Sequence, residues 1–387
     1  MRKVDPAVDE AIETLNMKDG PSRRRLLSGA GLFSATAAAS ALISACTSSS
    51  STSAAVKSGS GSKNPFPQVP GQQYWFVNHA DTNEFFTPTK YGYSDAAALL
   101  GIPTPNWGGD PNSVIANMVT YFNQAVSAKA AGIALASISD TSFTQPVSSA
   151  MSAGIPVITY NADGIYKSGV PSIGTNRLAY VGQALYISGQ QMGEQIKTLI
   201  PGGGEVVIFI ATPGTGNIQP RYDGAVSVLG SNYKVHEIAT TTDTSLELSK
   251  EKAFLLGNKQ IKGAFAVDSG STSFLGTAIK EAGMTIPSGG FDTAPQTLSD
   301  LQSGALSFSI YQDPYLQGFL PTLFLYLYNL SGGQLAPPDT DTGLTILNKG
   351  NVTQFTKSSR YQGGSSGESY IPRPSGAINQ PQATTST

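Results

Sequence analysis

Short apolar runs rich in β-branched residues alternate with longer segments of helical character along most of the chain. The clearest run spans 152–163, reads SAGIPVITYNAD and ends on Asn161 and Asp163. Apolar residues without polar alternation predict a strand buried on both faces, as in a parallel sheet covered by helices. Ligands of open α/β sheets bind beyond the carboxyl ends of the strands, which is where Asn161 lies in this run.

The same alternation predicts the order of the elements. Strands and helices alternate throughout 74–163, and a second set of similar size follows a loop at 163–178. This rhythm is typical of right-handed β-α-β units. The detailed predictions include a loop at 107–109, a helix over 112–131 that Asp110 caps, and a helix over 273–282. Two successive α/β sets predict two lobes with parallel sheets and a ligand cleft between them.

Charge and composition narrow the class of protein. The 387 residues include 24 Lys and Arg against 26 Asp and Glu, so the net charge gives no indication of nucleic-acid binding. Only 13% of the residues are charged and 42 are glycine, a composition that suits a compact, loop-rich exported protein. The length is sufficient for two lobes that each bury a core.

The first 45 residues have the pattern of an export signal. Arg23 and Arg24 belong to a twin-arginine pattern, and a weakly apolar run follows at 29–45, too short and too polar for a stable membrane span. The run ends in LISAC, which resembles the lipobox of bacterial lipoproteins. We therefore predict a twin-arginine/lipoprotein signal peptide over 1–45 and lipidation at Cys46, with the choice between the Tat and Sec routes left open. A buried structural cysteine is the alternative. Cys46 is the single cysteine, so an internal disulfide is excluded.

Two segments flank the predicted fold. Residues 46–70 are rich in Ser and Gly, which predicts a flexible linker. Residues 353–387 are rich in Gly, Ser, Pro and Thr, which predicts a disordered tail. A diacylglycerol on Cys46 would anchor the mature protein to the outer face of the cytoplasmic membrane.

Six short motifs occur in a characteristic order: NEFF at 83–86, GIPVI at 154–158, RYDG at 221–224, FAVD at 265–268, GFD at 290–292 and IYQDP at 310–314. In this order they resemble the periplasmic sugar-binding proteins of the ribose-binding type, the receptor subunits of ABC importers. The resemblance implies two Rossmann-like lobes joined by a three-segment hinge, with crossings near 180–184, 295–310 and 335–342. It implies an N-terminal lobe of 71–182 plus 293–335 and a C-terminal lobe of 183–292 plus 336–352.

The resemblance also implies a ligand site. The family's sugar contacts correspond to Asn83, Phe85, Phe86, Asn161, Arg221, Asp268, Asp292 and Gln312. Aromatic rings suit the apolar C–H face of a sugar, and amides, carboxylates and a guanidinium suit hydroxyls, which both donate and accept. The chain departs from the family at Asn161-Ala162, which stands in place of an Asp-Arg pair. We therefore expect a pentose or hexose other than ribose, or a polyol.

Simpler roles remain open for some of these residues. Phe85 and Phe86 would also suit an apolar core, Arg221 a surface ion pair and Asp292 a helix cap. The histidines His79 and His236 have no Cys or Glu at metal-ligand spacing, so structural roles are predicted for both. The sequence predicts neither a metal nor a cofactor.

The predicted function is capture of a sugar or polyol between two closing lobes and its delivery to an ABC-type permease. The protein is expected to be a monomer that binds no nucleic acid. A sugar-sensing receptor of the same fold and an exported carbohydrate-active enzyme are the alternatives. The DSG at 268–270 and DTG at 341–343 imitate aspartic-protease signatures, but that chemistry belongs to an all-β scaffold. The glycine-rich stretches at 202–204 and 214–216 lack the Lys of a P-loop, so catalysis is not indicated.

Overall fold

The computed structural model describes residues 67–356, apart from 140, 165, 168–169 and 172–174. The predicted signal peptide, Cys46, most of the predicted linker and the chain after 356 lie outside these residues. The end of the predicted linker belongs to the fold. Gln68 donates from Nε2 to the carbonyl oxygen of Leu100 at 3.2 Å, and the carbonyl of Pro67 accepts from the Tyr326 hydroxyl. The fold therefore includes residues before the predicted start at 71.

The described strands follow one another with helices or loops between them. They are β1 (Tyr74–Asn78), β2 (Asn106–Gly109), β3 (Gly132–Ser137), β4 (Val157–Asp163), β5 (Tyr166–Lys167), β6 (Val170–Pro171), β7 (Tyr180–Gly182), β8 (Gly204–Ile210), β9 (Tyr233–Ala239), β10 (Gly263–Ala266), β11 (Ser288–Phe291), β12 (Phe308–Tyr311), β13 (Thr340–Asp341) and β14 (Thr345–Leu347).

The described helices cover the faces of the sheets. They are α1 (Thr87–Leu100), α2 (Ile115–Ser127), α3 (Thr144–Ser152), α4 (Leu185–Leu199), α5 (Gln219–Leu229), α6 (Thr244–Gly257), α7 (Ser269–Glu281), α8 (Pro295–Ser303), α9 (Leu316–Leu330) and α10 (Val352–Phe355), with a 3₁₀ turn at Glu84–Phe86. Over the part of the chain that the structure describes, none of them combines the length and apolarity needed to cross a bilayer.

Two sheets form the cores of two lobes. In the first sheet the order is β13-β7-β4-β3-β1-β2, and the described strand pairs are all parallel. In the second the order is β14-β12-β11-β10-β8-β9, parallel except that the edge strand β14 is antiparallel to β12. Every residue of β3 and β4 is buried, as expected for strands covered by helices on both faces. The predicted α/β class with two parallel-sheet lobes is confirmed.

The lobe boundaries differ from the prediction. Strand β12 lies within 293–335, which was assigned to the N-terminal lobe, but it pairs with β11 of the second sheet. Strand β13 lies within 336–352, which was assigned to the C-terminal lobe, but it pairs with β7 of the first sheet. The chain therefore crosses between the lobes at 183–184, 312–315 and 342–344. The second crossing lies after the predicted interval of 295–310, because the apolar run at 308–311 fits either sheet by sequence.

Local chemistry explains three further differences. The predicted loop at 107–109 is part of β2, where Trp107 pairs with Phe76 of β1. Helix α2 begins at Ile115 rather than 112 because Ser113 has a φ of 62°, and Asp110 accepts from the backbone N–H of Val114 at 2.9 Å without being the cap residue. Helix α7 begins four residues before its predicted start because Asp268 caps it.

The predicted tail begins inside the fold. Helix α10 occupies 352–355, and the ring of Phe355 lies 4.8 Å from that of Tyr311, centroid to centroid. Val352 is fully buried in the core of the second lobe. This apolar contact fixes residues that the Gly and Ser content of 353–387 assigned to a disordered tail.

Helices α4 and α5 pack so closely that glycine is required at their contact. A Cβ at Gly189 would lie 2.1 Å from the carbonyl oxygen of Arg221, and one at Gly224 would lie 2.1 Å from that of Tyr186. Contacts this short are not available to any side chain, so two glycines facing each other set the separation of the helices. The position of Arg221 therefore depends on this contact.

Candidate functional site

A cleft opens between the two lobes at the carboxyl ends of the strands. It encloses about 750 Å³ of empty space, including some that is open to solvent. The residues predicted from the sequence all line this cleft: Asn83, Phe85, Phe86, Asn161, Arg221, Asp268, Asp292 and Gln312. The structure thus brings together eight residues that are up to 229 positions apart in the chain (312 − 83 = 229).

The 3₁₀ turn that begins at Glu84 forms the aromatic part of the first lobe's wall. Asn83 caps this turn: its side chain accepts from the Phe85 backbone N–H at 2.9 Å. The bond holds the Asn83 side chain next to the two phenylalanines at the cleft. The rings of Phe85 and Phe86 meet edge to face with centroids 4.7 Å apart. Phe86 is almost fully buried and belongs to the core as well as the wall, whereas Phe85 is only half-buried. Phe85 is therefore the ring with a face available to a ligand.

Asn161 reaches the cleft through an unusual backbone conformation at the end of β4. Its φ is 62°, in the left-handed region that asparagine tolerates better than most residues. Its Oδ1 lies 3.2 Å from Nε2 of His79, and its Nδ2 donates to Oε1 of Gln317 at 3.1 Å. Ala162, the second position of the departure from the family pattern, is fully buried in the first lobe's core. Only Asn161 of that pair therefore lines the cleft.

Arg221 is the central cation of the second lobe's wall. It is 3% exposed, and its guanidinium donates to the carbonyl of Val267 and to Oε1 of Gln183, each at 3.0 Å. Its Nε has no partner in the described part of the chain. Burial lowers the pKa of the guanidinium, and the nearby carboxylate of Asp292 acts in the opposite direction. The alternative role of a surface ion pair is wrong, because the side chain is buried.

Asp292 lies at the end of β11, also with a positive φ, of 74°. Burial raises the pKa of its carboxyl to about 6, against the lowering effects of Arg221 and of the hydrogen bond from Gln312. That bond runs from Nε2 of Gln312 to Oδ1 of Asp292 and measures 2.7 Å. The alternative role of a helix cap is wrong, because Ala294 is the cap residue of α8.

Asp268 differs from Asp292, because backbone N–H groups hold both oxygens of its carboxylate. One oxygen accepts from the backbone N–H of Ser271 at 2.9 Å and the other from that of Ala211 at 2.9 Å. Burial raises the pKa of this carboxyl, while these hydrogen bonds lower it. The side chain lines the cleft, but its hydrogen bonds fix the start of α7.

Of the polar cleft residues that the sequence interpretation missed, His79, Asn217 and Glu247 have buried atoms without a partner among the described residues. His79 follows β1 directly, and burial lowers its pKa to about 4, so the ring is neutral at pH 7. Asn217 lies on the loop after β8, and its Oδ1 has no partner among the described residues. Both residues follow strands of the predicted sheets. Because ligands bind beyond the carboxyl ends of such strands, this position in the sequence could have identified both residues. Glu247 lies on α6, where charged residues are ordinarily solvated, and no comparable signal marks it.

Glu247 places a third carboxyl, beside those of Asp268 and Asp292, against the second lobe's wall. It is 2% exposed, and its Oε2 has no hydrogen-bond partner in the described structure. Burial, and to a smaller extent the neighbouring Asp268, raise its pKa to about 8. At neutral pH this carboxyl is largely protonated and presents a donor as well as an acceptor.

The chemistry of the walls suits a neutral, polyhydroxylated molecule. Amides and carboxyls from both lobes supply donors and acceptors together, and the half-buried Phe85 supplies an apolar face. Within 67–356, leaving out the gaps given above, no group of His, Cys, Asp and Glu side chains has an arrangement that could hold a metal ion.

Two α/β lobes, three crossings and a polar cleft at the strand ends define a periplasmic binding protein of type I fold. The chain belongs to this family, since the model of the periplasmic binding protein domain matches residues 74–332. The xylose/arabinose-binding protein XylF of Sulfolobus acidocaldarius is 41% identical over 327 residues, which are 80% of this chain and 81% of that relative. The resemblance to periplasmic sugar-binding proteins is therefore confirmed.

Solved structures agree with this assignment. One is an ABC transporter solute-binding protein from Burkholderia graminis in complex with D-arabinose, with a TM-score of 0.67 and 25% identity. The match covers 74% of this chain and 98% of that protein's chain. A solute-binding protein from Agrobacterium vitis, bound to α-D-tagatopyranose, has a TM-score of 0.67 and 24% identity, and covers 76% of this chain and 99% of its own. At 24% identity, the similarity to the Agrobacterium vitis protein supports the assignment of the fold alone.

Proposed function

We propose that the protein is the extracytoplasmic sugar-binding subunit of an ABC transporter and that its ligand is a pentose. The observation that carries this proposal is the convergence of polar and aromatic residues from both lobes on one cleft. The names of the relatives support the choice of a pentose, because one is called xylose/arabinose-binding and another was solved with D-arabinose. The absence of the Asp-Arg pair at Asn161-Ala162 argues against ribose as the natural ligand.

Capture occurs by closure of the lobes on the sugar. Phe85 and Asn161 lie on one wall and Arg221 and Asp292 on the other, so a small ligand reaches both sets only when the lobes are close. A ligand that contacts both walls stabilises the closed form by its differential affinity for the two states. The three crossings at 183–184, 312–315 and 342–344 are the segments that would bend.

The test is titration calorimetry on the protein without its predicted signal peptide. D-xylose, L-arabinose, D-arabinose and D-ribose are the panel, and small-angle scattering with and without sugar follows closure. Binding of one or more of the first three sugars, with a decrease in the radius of gyration, is expected. Failure of all four sugars to bind would reject the pentose proposal, and binding of ribose alone would reject the argument from Asn161-Ala162.

Anchoring through Cys46 is the second part of the proposal. Its support is the lipobox-like LISAC and the serine-rich stretch that follows. Cys46→Ala should release the protein from the membrane fraction of the producing cell, and mass spectrometry of the native mature chain should find a lipidated N-terminal cysteine. A native chain that begins elsewhere, without lipid, would contradict this assignment.

Delivery to a permease distinguishes transport from the alternatives. The sugar-loaded protein should stimulate ATP hydrolysis by its reconstituted transporter more than the sugar-free protein does. The relatives described above are named as binding proteins, which supports a role without catalysis. Chemical conversion of the bound sugar, detected by chromatography after prolonged incubation, would instead support the exported enzyme.

A further inference from the structure

Five buried side chains form one continuous hydrogen-bonded chain from the first lobe's wall to the second lobe's wall. His79 contacts Asn161 at 3.2 Å, and Asn161 contacts Gln317 at 3.1 Å. Gln317 contacts Gln312 at 3.1 Å, and Gln312 contacts Asp292 at 2.7 Å. Each of the five is at most 7% exposed, so water does not compete with these bonds. The chain connects the two halves of the cleft.

The carboxylate at one end orients every amide in the chain. An ionised Asp292 only accepts, so Gln312 must direct its NH₂ group toward it and its Oε1 toward Gln317. Gln317 then donates from Nε2 and accepts at Oε1 from Nδ2 of Asn161. Oδ1 of Asn161 can only accept, so the bond from His79 is donated by Nε2–H.

This orientation determines the tautomer of His79. A neutral ring with its proton on Nε2 has a lone pair on Nδ1. That Nδ1 is buried and has no hydrogen-bond partner in the described part of the chain, and His79 lines the cleft. The ring is held in place by an edge-to-face contact with Phe86 at 5.5 Å between centroids. The unpartnered acceptor therefore matches a hydroxyl donor of the ligand.

Gln317 is the centre of this chain and lies at the start of α9, directly after the second crossing. It is fully buried, and its Nε2 lies 3.1 Å from the carbonyl oxygen of Gln312 and 3.1 Å from Oγ1 of Thr342, in addition to the Oε1 of Gln312. Gln312 belongs to the second crossing and Thr342 to the third. One side chain thus holds two crossing segments and the wall residue Asn161 together.

We propose that Gln317 is a positioning residue which transmits the orientation of the Gln312 amide to the Asn161 amide and thereby fixes Nδ1 of His79 as an acceptor for a ligand hydroxyl. The proposal rests on the proposed sugar-binding function. Gln317 acts through its neighbours, whereas His79 contacts the ligand.

The first test compares Gln317→Met with a matched control. Methionine keeps the length and bulk of the side chain but removes the amide, and leaves the partners of that amide unsatisfied. The affinity for the sugar that the native protein binds should fall about 10- to 100-fold. Gln72→Met removes another buried amide, which accepts from the Tyr74 hydroxyl in the first lobe, and should leave the affinity unchanged. Thermal unfolding verifies that both variants are folded.

The second test uses Gln317→Glu and a pH series. An ionised carboxylate would face the acceptors of Gln312, whereas a protonated one restores a donor and an acceptor. The ratio of variant to native affinity should rise as the pH falls from 8 to 5. The titratable and charged groups near the chain are Asp292 and Asp313, whose pKa values burial raises to about 6, together with His79 and Arg221, and the native protein measured over the same pH series is the reference for their effect. A ratio that does not change with pH would contradict the proposal.

The third test observes the tautomer directly. Nitrogen-15 spectra of histidine-labelled protein, with His236→Asn to remove the other signal, should find His79 protonated at Nε2 and not at Nδ1. Gln317→Met should weaken this preference. A native His79 protonated at Nδ1, or undiminished sugar binding by a folded Gln317→Met, would overturn the inference while the pentose proposal stands. A native protein that binds none of the four sugars would overturn the pentose proposal, while the tautomer still tests the chain of hydrogen bonds.

Discussion

The guanidinium carbon of Arg221 lies 4.3 Å from the ring centroid of Phe291, so a planar cation covers an aromatic face inside the second lobe. Both side chains are buried, and two of the three nitrogens of the cation are already held by hydrogen bonds. The contact is a cation–π interaction in a desolvated setting, where it is stronger than on a surface. The ring and the two acceptors together set the direction of the cation at the cleft wall.

Arg221→Lys should therefore weaken sugar binding although it conserves the charge. Lysine cannot donate in a fork to Val267 and Gln183 while lying flat on Phe291, so we expect at least a 10-fold loss of affinity by calorimetry. Lys197→Arg makes the reverse exchange at an exposed position and serves as the control, so this variant should bind the sugar with native affinity. Equal affinities for native protein and Arg221→Lys would show that charge alone matters at this position.

Phe85→Ala should reduce affinity for the sugar by about 10-fold, because the exposed part of this ring is the apolar surface that the cleft offers to the C–H face of a sugar. Phe85→Tyr keeps the ring and should retain most of the affinity. Phe254→Ala removes a half-buried ring of α6 that packs against Phe209 instead, so it should lower stability and leave affinity unchanged. If Phe85→Ala bound the sugar with the affinity of the native protein, Phe85 would not be a ligand contact.

Glu251→Met should stabilise the protein at neutral pH. Glu251 is fully buried, and neither carboxyl oxygen has a hydrogen-bond partner within the described chain. Burial raises its pKa well above 4.5, and the neighbouring Glu247 raises it further. We expect the free energy of unfolding at pH 8 to rise by about 1–3 kcal/mol, because an unsatisfied polar group is removed.

The pH dependence of stability follows from the same two glutamates. A carboxyl whose pKa is raised in the folded state stabilises the fold below its unfolded pKa of 4.5, and this contribution is lost as the pH rises. For Glu247 the loss extends to about pH 8. Urea unfolding of the native protein should therefore give decreasing stability from pH 5 to 8, with a smaller decrease in Glu251→Met. Glu194→Met, at an exposed position, is the control. If the free energy of unfolding changed with pH equally in the two variants, the assignment of a raised pKa to Glu251 would be contradicted.

Arg177→Met should destabilise the protein by about 3 kcal/mol in chemical unfolding. Arg177 donates from Nε to Asp163 at 2.8 Å, and it also holds Asp339, which precedes β13, at 2.9 Å. Without the arginine, the buried carboxylate of Asp163 loses its ion pair and, among the described residues, keeps only the hydrogen bond from the Thr159 hydroxyl, at 2.6 Å. Lys252→Met breaks an ion pair with Glu281 in which both side chains are at least 40% exposed, and should cost less than about 1 kcal/mol. Similar losses in the two variants would mean that burial of the first pair has no energetic effect.

The residues that line the cleft were better predicted from the sequence than the boundaries of the lobes. Asn161 could be assigned from the apolar run that ends on it, whereas Asp292 follows the sequence SGGF, which carries no such signal, and was assigned from the family resemblance. The sequence carries no comparable signal for which sheet a strand joins. The four residues of β12 would be buried in either sheet, and only the structure shows that they pair with 289–291 of β11. The three-segment crossing could be inferred from the family resemblance, but the position of its second segment could not.

Tertiary contacts also created features that no local pattern indicates. Glu247 and Glu251 are charged residues on a helix, which are ordinarily solvated, and here they are buried by packing against the rest of the second lobe. His79 was assigned a structural role because it lacked metal partners, and its place in the hydrogen-bonded chain depends on Gln317, which is 238 positions away (317 − 79 = 238). Long-range partners of this kind become visible only when the lobes are assembled.

The order of strands in the first sheet has a consequence for how the protein is made. Its edge strand β13 pairs with β7, although 157 residues separate the end of β7 at 182 from the start of β13 at 340 (340 − 182 − 1 = 157). A ribosome must therefore synthesise the sheet of the second lobe, apart from its edge strand β14, before the first sheet can be completed. Neither lobe is a continuous stretch of chain that could finish folding during translation, so the protein can become fully native only after nearly all of it has been synthesised.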